Sequence, residues 1–274
     1  MPGADSGEKA MIKNVTLGQY FPGDSVIHRM DPRVKLLLVI AIIVLIFLVD
    51  TLIGNLVVFA FLLFIIIVSR VSFKLVLRSL KPLWFIILLA IVLNTFFYSG
   101  GTELFSWWIF RVSREGLINA ARLAARLIFL ITATTMLTLT TSPISLTDAL
   151  ERLMRPLKVV RFPVHELAMM MTIAMRFIPT LLEETDKIMK AQTARGAEFD
   201  SGSILKRAAG MVPILVPLFV SAFRRADELA FAMESRCYHG GEGRTRMKVM
   251  HMHARDAIAS AIVAGLIVFA ALGY

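Results

Sequence analysis

Two arginines stand in nearly the same local setting in this sequence, 41 positions apart, at Arg195 and Arg236. A small residue lies on each side of both arginines: Ala194 and Gly196 in the first copy, Ser235 and Cys237 in the second. The planar guanidinium of arginine makes bidentate, charge-assisted hydrogen bonds to carboxylates and carbonyl oxygens, and small neighbours leave it accessible. Two equivalent projecting arginines therefore predict two equivalent acidic or carbonyl-lined grooves on a pair of related partner proteins.

Helix capping is the alternative explanation for the same residues. Arginine is favourable at the negative end of a helix dipole, and glycine readily adopts the left-handed conformation that closes a helix. Capping explains Arg195 and Gly196 by themselves. Because cysteine is a poor left-handed residue, we expect capping not to explain Arg236 and Cys237. An aspartate lies nine positions before each arginine, and we assign both a supporting role: Asp186 and Asp227.

No motif in the sequence predicts catalysis. The glycine-containing stretch Gly240–Arg246 lacks the Lys-Ser/Thr pair of a phosphate-binding loop, so any nucleotide energy must come from another chain. Three histidines suggest a metal site (His239, His251 and His253), but a spacing of two places side chains on different faces of a helix, and solvated loop histidines explain them better. The serine-hydrolase, zinc-protease and aspartate-rich diphosphate motifs are absent from the sequence. We therefore expect no catalytic residue, no cofactor and no metal, and hence no enzyme.

The composition places much of the chain in a lipid bilayer. Hydrophobic residues make up 57% of the sequence and the mean hydropathy is +0.72, whereas soluble domains are about 45–50% apolar. The net charge of +10 fits basic residues that fix membrane topology, and without a basic patch interleaved with aromatic residues we expect no nucleic-acid partner. The single cysteine, Cys237, excludes a disulfide within the chain, and the polar stretch Met1–Lys13 predicts no cleavable signal peptide.

Five apolar segments predict transmembrane helices: Leu36–Val49, Leu56–Val68, Leu83–Tyr98, Glu115–Thr140 and Ala257–Leu272. The loop Arg70–Lys81 carries four basic residues and no acid, which predicts that this loop and the N-terminus are cytoplasmic and that the C-terminus is outside. Arg122 and Arg126 break this rule on the outer half of the fourth segment. They either snorkel to the outer headgroups or form a polar face toward a partner inside the bilayer.

A helical module is predicted between the fourth and fifth spans. The predicted division of the chain is residues 1–142, 143–254 and 255–274. The first helix of the module, within Ser142–Pro163, has an apolar stripe and is expected to lie on a membrane surface or a partner. A methionine-rich helix follows, is kinked or ended by Pro179, and leads to a helix that runs toward Arg195. Ala208–Phe223 is bracketed by basic pairs and is shorter than a crossing requires, so we expect it not to cross but to continue to Arg236. No strand is expected.

Three stretches carry a resemblance to a known family. They are GQYFPGDSVIHRMDPRVKL at Gly18–Leu36, RFIPTLLEETDKIMKAQTARGAEFD at Arg176–Asp200 and PLFVSAFRRADELAFAMESRCYHGGEGRTRM at Pro217–Met247. Together they resemble EcfT, the transmembrane coupling subunit of energy-coupling factor (ECF) vitamin transporters, over nearly the whole chain. The two arginine motifs and their spacing are the most specific part. The family usually has Ala-Arg-Gly or a close relative at both sites, and the Ser-Arg-Cys of the second site here keeps the small-Arg-small pattern.

The resemblance implies an all-α integral membrane protein. About five transmembrane helices would be joined by an L-shaped or crossed set of cytoplasmic or interfacial coupling helices between the fourth and the fifth. The resemblance also implies a non-catalytic scaffold in the bacterial plasma membrane. Its partners would be the lipid bilayer, two cytosolic ABC-type ATPases that each seat one arginine motif, and a small membrane subunit that binds the vitamin. The methionine-rich helix suits a surface that accepts alternate partners.

Two other functions compete with this one. A polytopic membrane enzyme acting on lipid headgroups would use Arg122, Arg126 and Arg176 and would turn over its substrate without partners. A self-sufficient permease would transport its substrate as the single chain in liposomes.

Overall fold

The computed structural model describes residues 20–97, 103–107, 110–197, 204–240 and 252–272. Most of these residues are helical, which confirms the predicted all-α class. The chain forms two compact units, one within residues 1–149 and 249–274 and the other within residues 150–248. In chain order the α-helices are α1 Pro32–Leu48, α2 Leu52–Ser69, α3 Phe73–Leu80, α4 Trp84–Phe97, α5 Arg114–Thr140, α6 Pro143–Leu153, α7 Val164–Ala194, α8 Ile204–Glu234 and α9 Ala254–Ala271. Two 3₁₀ turns, Lys81–Leu83 and Arg155–Val160, extend α3 and follow α6.

Side-chain caps determine where α1 and α2 begin. The Asp31 carboxylate accepts a hydrogen bond from the Arg33 N–H at 2.9 Å, and Pro32 occupies the first helical position. The Thr51 hydroxyl accepts one from the Gly54 N–H at 3.1 Å and starts α2. These caps satisfy backbone donors that the first turn of a helix leaves without partners.

The core of the first unit is apolar and is shared by α1, α2, α5 and α9. Its fully buried residues include Leu45, Val58, Ala133 and Val263. Large apolar side chains also cover the outside of these helices: Leu52 is 86% exposed, more than any other large apolar residue of α1 and α2. An outer surface that is as apolar as the core requires lipid rather than water around it.

One end of this unit is tied together by two buried charged residues. The Lys35 ammonium donates hydrogen bonds to the His28 and Thr140 carbonyls, at 3.2 and 2.9 Å, and to the Thr141 hydroxyl at 3.3 Å. The Asp256 carboxylate caps α9 and accepts from the Asp31 N–H at 3.2 Å. The starts of α1 and α9 therefore meet the end of α5.

The opposite end is tied by Arg126. Its guanidinium donates to the Asp50 carboxylate at 3.1 Å, next to the start of α2, and lies over the Phe47 ring at 5.4 Å from the centroid. Arg122 donates to the Asn119 side chain at 3.3 Å. Arg126, which breaks the charge rule in the sequence, thus has an intramolecular partner at this end of the bundle.

Five helical stretches are long and apolar enough to cross a membrane, counting the described residues alone. They are Leu52–Ser69, Phe73–Phe96, Arg114–Thr140, Ala209–Glu234 and Ala254–Ala271. The predicted number of about five is confirmed, but the set of helices differs from the predicted one: it includes Ala209–Glu234 and leaves out α1. Helix α1 has 17 residues, or about 26 Å of helix. The prediction that Ala208–Phe223 is too short to cross is wrong, because α8 continues without a break through Pro213 and Pro217 to Glu234; the flanking basic pairs are the remaining argument against a crossing.

Two further expectations are corrected. A short antiparallel hairpin forms where no strand was expected, between β1 Glu103–Trp107 and β2 Phe110–Ser113. Alternating aromatic and β-branched residues favour such pairing even over four or five positions. Helix α7 runs unbroken through Pro179 for 31 residues, so this proline does not end it. Packing against α8 holds the helix together where propensity alone predicts a break.

Candidate functional site

Helices α7 and α8 form an antiparallel pair within the second unit. Near the end of α7, the Gln192 amide reaches the Pro213 carbonyl at 3.5 Å. Near the middle, the Glu184 carboxylate accepts from Arg225 at 3.0 Å. Past the end of α8, the Tyr238 hydroxyl lies 3.4 Å from Nε2 of His165, which is in the first turn of α7. In these three contacts the residue numbers in α7 decrease while those of their partners in and after α8 increase, so the helices are antiparallel. The two arginine motifs, one at the end of each helix, therefore lie at opposite ends of the pair.

The first motif closes α7 with a Schellman cap. The Ala197 N–H donates to the Gln192 carbonyl at 3.0 Å, and the Gly196 N–H donates to the Thr193 carbonyl at 2.9 Å. Gly196 adopts the left-handed conformation with φ of 88°. This pair of bonds defines the motif and satisfies carbonyls that the last turn leaves open.

The second motif closes α8 in the same way. The Tyr238 N–H donates to the Met233 carbonyl at 3.1 Å, and the Cys237 N–H donates to the Glu234 carbonyl at 2.8 Å. Cys237 is left-handed, with φ of 54°. The expectation that capping does not explain the second copy is therefore wrong. The left-handed conformation costs a residue with a Cβ about 1–2 kcal/mol, and the two cap hydrogen bonds offset this cost.

The two caps also agree in what they expose. All six residues of the motifs are exposed: Ala194, Arg195, Gly196, Ser235, Arg236 and Cys237. At the equivalent flanking positions the side chains are half-buried in both copies: Gln192 and Ala197 in the first, Met233 and Tyr238 in the second. The guanidinium of neither arginine has a hydrogen-bond or ion-pair partner among the described residues, and only the backbone N–H groups of Arg195 and Arg236 are bonded. The backbone thus presents each arginine to solvent in the same relation to the last helical turn.

The two supporting aspartates are not placed alike. The Asp186 carboxylate pairs with Lys190 one turn later in α7 at 2.9 Å, and its second oxygen is buried without a hydrogen-bond partner among the described residues. Asp227 is exposed. Nine positions of helix separate each aspartate from its arginine by about 13 Å. The described contacts bring neither carboxylate to its arginine.

Sequence reasoning missed the link between the two helices. Glu184 accepts hydrogen bonds from the Ser221 hydroxyl and from Arg225. The hydrogen bond from Ser221 is the main reason that the pKa of Glu184 lies below its usual value, and the bond from Arg225 lowers it further. The carboxylate therefore stays ionised at neutral pH. Glu184 lies eleven positions before Arg195, and Arg225 lies eleven before Arg236. Glu184 and Arg225 are therefore separated by the same 41 residues as the two arginines. Opposite charges at this separation are the sequence signal that could have revealed the ion pair.

A second polar network lies at the end of the pair that carries the second cap. His165 Nδ1 lies 3.2 Å from the Glu151 carboxylate, and its Nε2 faces the Tyr238 hydroxyl. The residue that closes the second cap is therefore tied to α6 and to the start of α7, whereas Ala197 closes the first cap with a methyl group. The two caps have the same backbone hydrogen bonds, but the side chains that follow them, Ala197 and Tyr238, make different contacts.

Within the described ranges, no three His, Cys, Asp or Glu side chains come together as a group that could hold a metal. His251 and Gly241–Arg246 lie outside those ranges.

The cap geometry gives a prediction for local stability. Gly196→Ala is expected to weaken the end of α7 by about 1 kcal/mol, because a Cβ there meets open space but forces a strained left-handed alanine. Cys237→Gly is expected to be neutral or slightly stabilising at the end of α8, since relief of strain is partly offset by unfolded-chain entropy. Hydrogen exchange of the last-turn amides measures both. A Cys237→Gly variant that loses more protection than Gly196→Ala would contradict the shared cap.

Five apolar helical stretches able to cross a bilayer, counted over the described residues, define an integral membrane protein. The chain matches the family profile described as CbiQ, cobalt transport protein, over residues 23–247. It is 56% identical to the energy-coupling factor transporter transmembrane protein EcfT of Clostridium kluyveri over 251 residues, which cover 91% of this chain and 93% of that protein. The protein of the same name from Acidaminococcus fermentans is 51% identical, over 95% of this chain and 97% of its own length. The chain belongs to this EcfT family, the transmembrane components of ECF transporters.

Proposed function

We propose that this chain is the scaffold and coupling subunit of an ATP-driven ECF-type vitamin importer. It transmits conformational change from two cytosolic ABC-type ATPases to a membrane subunit that binds the substrate, and ATP is hydrolysed on the partner chains. The observation that carries the proposal is the repetition of one exposed arginine cap, at Arg195 and Arg236, at the two ends of a single helix pair.

The geometry suits two related partners. From the Glu184–Arg225 contact, each helix continues eleven residues to its arginine in opposite directions. That is about 16 Å on each side, so the arginines are up to about 33 Å apart. Neither stretch contains a proline, which keeps both arms straight. A pseudo-two-fold pair of this kind offers the same contact to each of two similar subunits.

Long helices also suit transmission of movement. Helices α7 and α8 each have 31 residues, or about 46 Å. A helix whose end is seated in a groove moves as a rigid rod when the groove moves. Closure of two ATPases would therefore displace both helices and tilt a subunit that rests on them.

The methionine-rich part of α7 is the proposed seat for the substrate-binding subunit. Met170 and Met171 are 54% and 42% exposed. Flexible thioether side chains repack at low cost, which favours a surface that accepts more than one partner.

The proposed location is the bacterial plasma membrane with a cytoplasmic N-terminus. Basic residues lie in or next to the start of α1, the end of α2, the short helix α3 and the start of α9: Arg29, Arg33, Lys35, Arg70, Lys74, Arg78, Lys81 and Arg255. Such an excess marks the cytoplasmic side. An enzyme built on Arg122 and Arg126 is not favoured, because Arg126 already has a partner in Asp50.

Reconstitution tests the proposal. The chain is placed in liposomes alone, with two ABC-type ATPases, and with the ATPases plus a vitamin-binding membrane subunit. We expect ATP-dependent uptake from the complete set only, and co-purification of the ATPases with the chain. Uptake by the chain alone would establish a permease, and turnover of a lipid headgroup by the chain alone would establish an enzyme; either result would overturn the proposal.

A further inference from the structure

The first unit contains an apolar cavity of about 340 Å³ between α1, α2, α5 and α9. Ile42, Leu62, Ala133 and Val263 line it from the buried side of these helices. Along α9 the lining extends from Arg255 to Val263, which is about 12 Å of helix. Walls of this composition exclude water and fit a hydrocarbon chain.

The cavity opens onto the outer surface of the helices. Three of its lining residues, Val26, Phe64 and Ile258, are 54%, 57% and 60% exposed. In a membrane-spanning bundle, this surface faces the bilayer. Acyl chains are therefore the solvent with direct access to the opening.

Two cations line the same cavity, Lys35 and Arg255. Within the part of the chain that the structure describes, the buried Lys35 ammonium donates to three neutral oxygens and to no carboxylate. The nearby Asp256 carboxylate is engaged by the backbone N–H groups of Asp31 and His253, at 3.2 and 2.8 Å. The Nε of Arg255 is buried without a hydrogen-bond partner among the described residues. The cavity thus holds positive charge that the described side chains leave incompletely neutralised.

We propose that this cavity binds one anionic phospholipid, with an acyl chain between α1, α2, α5 and α9 and the phosphate of the headgroup at Arg255. Basic pockets between transmembrane helices bind anionic headgroups, and a guanidinium pairs with a phosphate in a bidentate manner. Arg255 follows the start of α9 and Lys35 follows the start of α1, so both cations lie at helix ends, at the level where headgroups are found. A zwitterionic lipid supplies the same chain without net negative charge.

Native mass spectrometry of the full-length chain with equal amounts of phosphatidylglycerol and phosphatidylcholine tests the site. We expect one phosphatidylglycerol to be retained in preference to phosphatidylcholine. Arg255→Gln should lower phosphatidylglycerol retention about fivefold, as for the loss of one cation near an anionic headgroup. Ala259→Phe, which fills the cavity, should lower retention of both lipids.

Two variants serve as matched controls. Arg29→Gln removes a charge from the same end of the unit at an exposed position outside the cavity, and Ala261→Phe adds the same ring on the exposed side of α9. Neither should change retention. Equal retention of the two lipids, or an equal loss in Arg29→Gln and Arg255→Gln, would overturn the proposal.

Photo-cross-linking of the wild-type chain tests, without any substitution, whether an acyl chain occupies the cavity. The probe is phosphatidylglycerol with a diazirine on its acyl chain, in vesicles of phosphatidylglycerol and phosphatidylcholine. Labels are expected on the α9 peptide that contains Ile258–Val263. Absence of label there would contradict the site. Loss of label when the partner subunits assemble would show that a protein segment occupies the cavity instead.

Discussion

Reversing the charge of both cap arginines is expected to release both ATPases. In Arg195→Glu with Arg236→Glu, each groove would meet a carboxylate in place of a guanidinium. Removing one partner of a charged, hydrogen-bonded contact at an interface costs about 2–5 kcal/mol, which corresponds to a loss of affinity of about 30-fold to several thousand-fold at each site. The two guanidiniums have no hydrogen-bond or ion-pair partner among the described residues, and a substitution keeps the backbone bonds of the caps, so the fold of the chain should tolerate the change. Affinity pull-down from detergent measures the retained ATPases.

The matched control reverses two other charges on the same helices. Lys187 and Arg224 are exposed, one on α7 and one on α8, and both lie outside the caps. Lys187→Glu with Arg224→Glu changes the net charge by the same amount, and it should leave both ATPases bound. Each single cap variant should release one ATPase and keep the other. Retention of both ATPases by the double cap variant, or their equal release by the control, would refute the role assigned to Arg195 and Arg236.

Exchanging the charges of the central pair is expected to show that the two helices act as one body. Glu184→Arg places two guanidiniums next to each other, and Arg225→Glu places two carboxylates next to each other. Both changes are at a half-buried position that Ser221 also contacts. Each single variant should lose about 1–2 kcal/mol of pairing between α7 and α8, and ATP-driven uptake should fall tenfold or more. The double variant restores opposite charges and should recover most of both losses. The thermal midpoint in detergent and uptake in liposomes are the two measurements.

An ion pair inside one helix provides the comparison. Asp186→Asn removes the contact of 2.9 Å between Asp186 and Lys190 within α7. Because such a pair one turn apart is worth about 0.3–0.5 kcal/mol, the thermal midpoint in detergent should change little. If the charge-exchanged double variant were as impaired as its single parents, the pairing role of Glu184 and Arg225 would be wrong.

The sequence predicts the parts of this fold that depend on local pattern. Continuous apolar runs identify segments such as Leu56–Val68 within α2, because lipid requires little beyond length and hydrophobicity. The arginine motifs are likewise visible in the sequence, since small neighbours and a repeated spacing are local properties.

The features that sequence reasoning missed depend on contacts between distant residues. Cys237 is left-handed because two cap hydrogen bonds and the Tyr238–His165 contact hold the chain there, and single-residue preference does not include them. The Glu184–Arg225 pair requires knowledge that α7 and α8 are antiparallel.

The opposite charges at Glu184 and Arg225 also favour pairing of α7 with α8 over pairing of α7 with a second α7. In a homodimer with a two-fold axis, a residue on the axis meets its own copy, and two glutamates or two arginines would repel. Here the two halves of the repeat carry complementary signs, so α7 prefers α8 of its own chain over α7 of a second molecule. One polypeptide therefore supplies both halves of an arrangement that a symmetric pair of chains would otherwise provide.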